Sequence, residues 1–258
     1  MAPLPVLLSI PHGGWRVPPE VEAAVALTHA QILEDNDAFT LGIYDLGGEV
    51  LAVAKTEVAR AVLDLNRRRD DRPPGNPDGV VKSNTCTGRT VYRSPPDAPA
   101  VESLLRQHYD PYHGRLRELA GTPGLRLGLD CHSMAPTAPA IAPDPGQARP
   151  AMCLSDAGGT SCPRDVIDRL EECMRRSFGL REGEVTRNRP FRGGYITRSM
   201  GGRPVPWVQV ELNRALYLRD PWFDPASGSI DGGRLLELRS AFREGLRQFF
   251  AAEPRPGG

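Results

Sequence analysis

The chain has 258 residues, with 32 basic and 32 acidic side chains and no formal net charge. That length suits one large domain with a sizeable core, and the charge balance excludes the broad basic field of a nucleic-acid binder or membrane-surface protein. The 27 glycines and 26 prolines are about a fifth of the chain against a usual share of about an eighth, which predicts many tight turns around a folded core. In chain order, residues 6–10 (VLLSI) form a short apolar run that suits a strand buried on both faces. Gly13, Gly14, Pro18 and Pro19 break it into a loop. Thr28 and Gln31 have the spacing of a capping box, and apolar residues at helical spacing (Ile32, Leu33, Phe39, Ile43, Tyr44) predict one helix to about Leu46, stopped by Gly47 and Gly48. Strands are expected over 50–54 and 61–65, then a polar loop over 66–98. A helix starts at Pro99 and runs toward Ala120, disturbed at Pro111. A strand over 125–130, an irregular stretch over 135–150, an amphipathic helix over 163–178, a strand over 205–211 and a closing helix over 232–251 complete the pattern. Alternating strands and helices indicate a single α/β domain over 1–258, with a central mostly parallel or mixed sheet flanked by helices.

No apolar run approaches the roughly 20 residues that span a bilayer. Residues 1–10 are too short, and lack the basic start, for a secretory signal. Five cysteines, an odd number with no CxxC pair, read as reduced thiols of a cytoplasmic protein. Among the basic residues only Lys55 and Lys82 are lysine. Arginine clusters suit carboxylate recognition, although a GC-rich coding sequence explains the same bias.

Three residues share a placement. His12 follows the first strand by two residues, His132 follows LRLGLD by two, and Glu211 closes VPWVQVEL. Ligands of open α/β sheets bind beyond the carboxyl ends of the strands. If these strands are parallel, two imidazoles and a carboxylate converge there, enough for a catalytic zinc with a position open to water. Singly, each histidine is more often a hydrogen-bonded loop residue, and Glu211 could equally be an ion-paired carboxylate. Glu34, Asp35 and Asp37 crowd the same predicted helix; they are either a solvated face or the source of a third metal ligand. Arg67 and Arg198 stand where apolar or glycine-rich segments turn into loops and could clamp a substrate carboxylate, with Asn66 and Tyr195 adding hydrogen bonds. His29, His108 and His113 receive no role. Neither a GxSxG elbow, a P-loop nor a GxGxxG is present. Cys131 neighbours His132, but strand alternation points the two side chains to opposite faces, which disfavours a thiol nucleophile.

These residues lie in six ordered motifs: Ser9-Ile-Pro-His-Gly-Gly14, Asp35-x-Asp37, Asp64-Leu-Asn-Arg67, Leu129-Asp-Cys-His-Ser-Met134, the run Asn188 to Arg198, and Val208-Gln-Val-Glu-Leu-Asn-Arg-Ala-Leu-Tyr217. Together they resemble the N-formylglutamate amidohydrolase (deformylase) family over about Val6 to Leu218. The resemblance implies a zinc-carboxypeptidase-like (phosphorylase/hydrolase-like) fold with a metal at the carboxyl edge of the sheet. It implies His12 and His132 as metal ligands, with an acid from the Asp35–Asp37 pair, Asp37 favoured. Glu211 would be the general base, and Arg67 and Arg198 would bind glutamate carboxylates. The loop from Arg68 to Arg93 departs from the family's usual pattern.

The activity so implied is zinc-dependent hydrolysis of a small N-acyl amino acid, N-formyl-L-glutamate to L-glutamate and formate, of the histidine-degradation type. Neither nucleic acid nor membrane is expected as a partner. Two other readings compete: a metallopeptidase or cell-wall amidase on the same scaffold, and a metal-free anion-binding protein.

Overall fold

The computed structural model describes residues 2–140, 142–202 and 204–251. Its centre is a six-stranded sheet built from β1 (Leu4–Ile10), β2 (Val50–Lys55), β3 (Leu127–Met134), β4 (Met152–Ser155), β5 (Val185–Arg187) and β6 (Trp207–Asn213), in the order β2-β1-β3-β6-β4-β5. The first four strands in that order are mutually parallel. β4 then runs antiparallel to β6, and β5 parallel to β4. A two-stranded ribbon, β7 (Phe223–Asp224) and β8 (Ser229–Ile230), stands apart.

Alternation along the strands divides the core in two. Val6, Leu8, Ile10, Leu129, Cys131, Val208 and Val210 face α2 (Thr40–Tyr44), α5 (Arg164–Ser177) and α7 (Gly232–Ala251). Leu7 and Trp207 face the opposite way, against α4 (Asp110–Ala120) and the apolar side chains of the segment 58–92. On that second face, toward the carboxyl ends of β1, β3 and β6, the alternation places Ser9, Asp130, His132, Gln209 and Glu211. Parallel pairing sets Ser9 opposite Asp130, Asp130 opposite Gln209, and His132 opposite Glu211.

Gly128 shows how tightly this face is packed. A Cβ there would lie 2.2 Å from the ring of Trp207, its neighbour on β6, which is fully buried. Gly128→Ala is therefore expected to destabilise by about 1–3 kcal/mol or more, read as a lower midpoint in urea at unchanged slope.

Several expected elements are corrected. The helix from Thr28 to Leu46 is two short helices, α1 (His29–Asp35) and α2, although its capping box is present. The break is made by the loop after β1: the Asn36 side-chain amide donates to Gly14 O, the Asp37 N–H donates to His12 O, and Phe39 takes a left-handed backbone at φ 64. The Asp37 N–H is thus diverted from the helical pattern, while the Asn36 N–H keeps its bond to Ile32 O. Residues 61–65 are not a strand but a buried turn held by the N–H groups of Val62 and Leu63 on Ala59 O. β3 and β6 each run beyond their expected ends, so His132 and Glu211 lie within strands. The short strands β4 and β5 were not anticipated. The helix from Pro99 appears as α3 (Ala98–Leu104), capped by Asp97, then one π turn and α4. Pro111 lacks the N–H of a regular helix, and the wider turn just before it accommodates that loss.

Candidate functional site

β1 hands its carboxyl end to the Pro11–Gly14 turn, which presents His12. The break between α1 and α2 presents Asp37, and β3 presents His132. All three side chains are buried. His12 Nδ1 lies 3.2 Å from Asp37 Oδ2, His132 Nδ1 lies 2.9 Å from the same oxygen, and the two Nδ1 atoms are 3.1 Å apart. Donors around a tetrahedral metal at about 2.0–2.1 Å would stand about 3.3 Å from one another, so the residues present fit a small divalent ion. Two imidazole nitrogens and a carboxylate oxygen could hold it.

The far side of each ring supports that fit. His12 Nε2 faces Asp64 Oδ1 at 2.8 Å, and His132 Nε2 faces Asp130 Oδ2 at 3.1 Å. A carboxylate accepts only an N–H, so both rings carry a proton at Nε2 and aim Nδ1 at the shared point. Without a metal, that point still collects positive charge. Burial alone would lower His132, yet Asp130 and Asp37 hold it well above its ordinary value. Burial would likewise raise Asp37, but the hydrogen bonds and charges of His12 and His132 keep it well below the carboxylate range. Protons and a metal ion compete for the same atoms.

Glu211 stands in register with His132, and Gln209 Nε2 donates to its Oε1 at 2.7 Å. Burial, together with the negative charges of Asp37 and Asp130, pushes its carboxyl up to about 7 against the opposing pull of His132. A carboxylate poised near neutrality is suited to moving protons at physiological pH.

A family model for N-formylglutamate amidohydrolase matches residues 4–218, most of the chain and all of this site. The chain belongs to the N-formylglutamate amidohydrolase family. It is 30% identical over 228 residues to an N-formylglutamate deformylase of Pseudomonas putida, covering 84% of this chain and 83% of that protein. A deformylase of the same name from Pseudomonas aeruginosa is 31% identical over 227 residues, covering 83% and 82%. The crystal structure of N-formylglutamate amidohydrolase from Ralstonia eutropha JMP134 superposes with a TM-score of 0.77 at 21% identity, over 97% of this chain and 95% of that one. The α/β fold is shared with it.

Asp35 stands away from the metal-binding atoms: Lys82 Nζ bonds its Oδ2 at 2.9 Å and the Cys86 N–H bonds its Oδ1 at 2.6 Å. Burial would raise its pKa, but Arg60, Lys82 and the Cys86 N–H hold it at about 2. Asn66 is committed to the frame of the site. Its Nδ2 lies 3.0 Å from His132 Nε2 and 3.2 Å from Asp130 Oδ2, while its Oδ1 accepts from the Ile196 N–H at 2.7 Å. Arg67 is also engaged, through Nη2 to Asp78 at 2.7 Å and Nε to Asp64 at 3.6 Å. Tyr195 and Arg198 sit on α6 (Tyr195–Met200), Tyr195 half-buried against the ring of His113 and Arg198 exposed. Cys131 points into the opposite core, and burial raises its thiol well above the usual range, away from nucleophilic chemistry.

Four residues of the frame went unassigned in the sequence. Asp130 with His132, and Gln209 with Glu211, are spaced by two on a strand and so share a face; that period was the available signal. Asp64 and Arg214 fall inside two of the ordered motifs, but no period singles them out, and the contacts that bring them to the site form between turns distant from their partners in the chain. None of the described helices is long and apolar enough to cross a membrane.

Proposed function

We propose that this chain is a zinc-dependent amidohydrolase that converts N-formyl-L-glutamate and water to formate and L-glutamate. The observation that carries the reading is the convergence of His12 Nδ1, Asp37 Oδ2 and His132 Nδ1 beside Glu211. The names of the pseudomonad relatives supply the substrate. A bound zinc ion would polarise the formyl carbonyl and acidify the attacking water. Glu211 takes the proton of that water as the C–O bond forms, and returns it to the leaving nitrogen as the C–N bond breaks. Asp64 and Asp130 orient the two imidazoles, and Asn66 donates to the Asp130 carboxylate that holds His132. Arg198 is the freer of the two arginines for a substrate carboxylate; Arg67 would have to exchange Asp78 for one, and Tyr195 adds a hydroxyl at the start of α6. All five cysteines are unpaired, in keeping with a reducing cytoplasm.

The test is chemical. Purified protein is expected to bind one zinc, to release formate from N-formyl-L-glutamate, to lose that activity on chelation and to regain it with zinc. His132→Ala should weaken zinc binding by at least about 100-fold. Because protons hold the same nitrogens, wild-type zinc affinity should fall as the pH is lowered. Formate release that survives in chelator-treated His132→Ala protein would sink the reading. A panel of N-acetyl and N-succinyl amino acids, peptides and muropeptides separates it from the peptidase and amidase alternatives.

A further inference from the structure

Asp37 uses its two oxygens differently. Oδ2 faces both imidazoles, whereas Oδ1 is turned away and already occupied: Arg214 Nη2 donates to it at 3.0 Å and Ser133 Oγ at 3.4 Å. Arg214 is itself fixed, with Nε on Ser133 Oγ at 3.0 Å and Nη1 on Glu34 O at 3.0 Å. Only 13% of its side chain is exposed. It lies in the turn just past β6, three residues beyond Glu211, so one guanidinium ties the end of α1, the end of β3 and the end of β6 to one carboxylate oxygen.

We infer that Arg214 and Ser133 are positioning residues that hold Asp37 as a one-oxygen donor, and so set the coordination number of the metal proposed above. A carboxylate whose second oxygen is free can bind a metal through both, which suits larger ions that accept six or more oxygens. With Oδ1 occupied by a charge-assisted bond, the His12, Asp37 and His132 cluster offers three donor atoms. That arrangement favours a small ion with nitrogen ligands and keeps a position free for water. The positive guanidinium also draws negative charge away from the donor oxygen, which leaves the metal a stronger Lewis acid.

The test uses cobalt and ion competition on the full-length protein, with no reliance on turnover. Low-coordinate cobalt(II) absorbs visible light far more strongly than six-coordinate cobalt(II). Wild type loaded with cobalt should show the intense bands, and Arg214→Gln should weaken them several-fold. The preference of the site for zinc over manganese should fall about tenfold or more in Arg214→Gln, on the scale of other outer-partner losses. Arg214→Lys, which keeps a cation near Oδ1, should retain most of both properties. Ser133→Ala should shift them in the same direction by less, and keeps the test available if Arg214→Gln does not fold. Intense bands and an unchanged zinc-to-manganese preference in folded Arg214→Gln, or in Ser133→Ala if only that variant folds, would overturn the inference while leaving the metal site intact. Wild type that binds no cobalt or zinc would instead overturn the metal reading, and this inference with it.

Discussion

Glu211→Gln is expected to lower the rate of N-formylglutamate hydrolysis by about 10²–10⁴-fold while making the metal-free protein more stable above neutral pH. The two effects share one cause. Glutamine keeps the shape and the bond with Gln209 is replaceable, but it can neither accept the water proton nor carry charge. The folded chain raises Glu211 from 4.5 to about 7, chiefly by burial. A raised carboxyl favours the folded state fully below the unfolded pKa, and that contribution is lost as pH rises through the folded value, here between about pH 4.5 and 7. Above that window the wild type holds a buried, poorly solvated charge worth up to about 3 kcal/mol against it. Thermal midpoints of metal-free wild type and Glu211→Gln, followed from pH 5 to 8, should diverge as the pH rises, the variant being the more stable. Equal hydrolysis rates would remove Glu211 from the reaction; parallel stability curves would remove the claim that its charge strains the fold.

Lys82→Met should destabilise the protein by about 3–5 kcal/mol at neutral pH. Lys82 is fully enclosed, with Nζ at 2.9 Å from Asp35 and 2.6 Å from Asp78. Removing the ammonium leaves the fully buried Asp35 carboxylate with only the Cys86 N–H and the nearby charge of Arg60, whereas Asp78 is partly exposed and keeps Arg67. In wild type Asp35 is depressed to about 2, so its stabilisation is present above its ordinary pKa of 3.8 and lost only as pH falls through about 2. In Lys82→Met its pKa should rise, so the penalty should shrink on acidification toward pH 4. Urea unfolding of both proteins at pH 7 and pH 4 reads this directly; a penalty independent of pH would indicate lost packing and no lost charge pair. Asp35 ends α1 two residues before Asp37, and the pair anchors the break that presents Asp37 to the histidines.

The parts legible in the sequence were those governed by local periodicity. The apolar run before His12 and the LRLGLD run before His132 are true neighbouring parallel strands, the first legible as an unbroken apolar stretch and the second as leucine at every other position. The amphipathic spacing of α5 and α7 is equally local. The helix from Thr28 was misjudged because the Asn36 side chain and the Asp37 N–H bond the loop after β1, a partner remote in sequence. The 61–65 run is apolar because it is buried, and burial alone does not distinguish a turn from a strand. β4 and β5, four and three residues long, are too short to carry a period. At the site, spacing exposed the histidines and Glu211, whereas Asp64 and Arg214 act through contacts that only the folded chain creates.

The reversal of β4 has an evolutionary consequence. In an uninterrupted parallel sheet, the connection after β3 would descend to the far edge before re-entering. Here the chain enters β4 from the same edge at which it leaves β3, so the connection begins and ends at the edge of the sheet that carries the site. Asn213 pins the end of that loop through the carbonyls of Arg149 and Pro150, and the Arg149 guanidinium packs 5.2 Å from the Phe191 ring centre. With that end fixed, the connection ahead of Arg149 can change in length and composition without shifting β3 or β6, which hold His132 and Glu211. Mutation can thus remodel this connection while His132 and Glu211 are inherited in place.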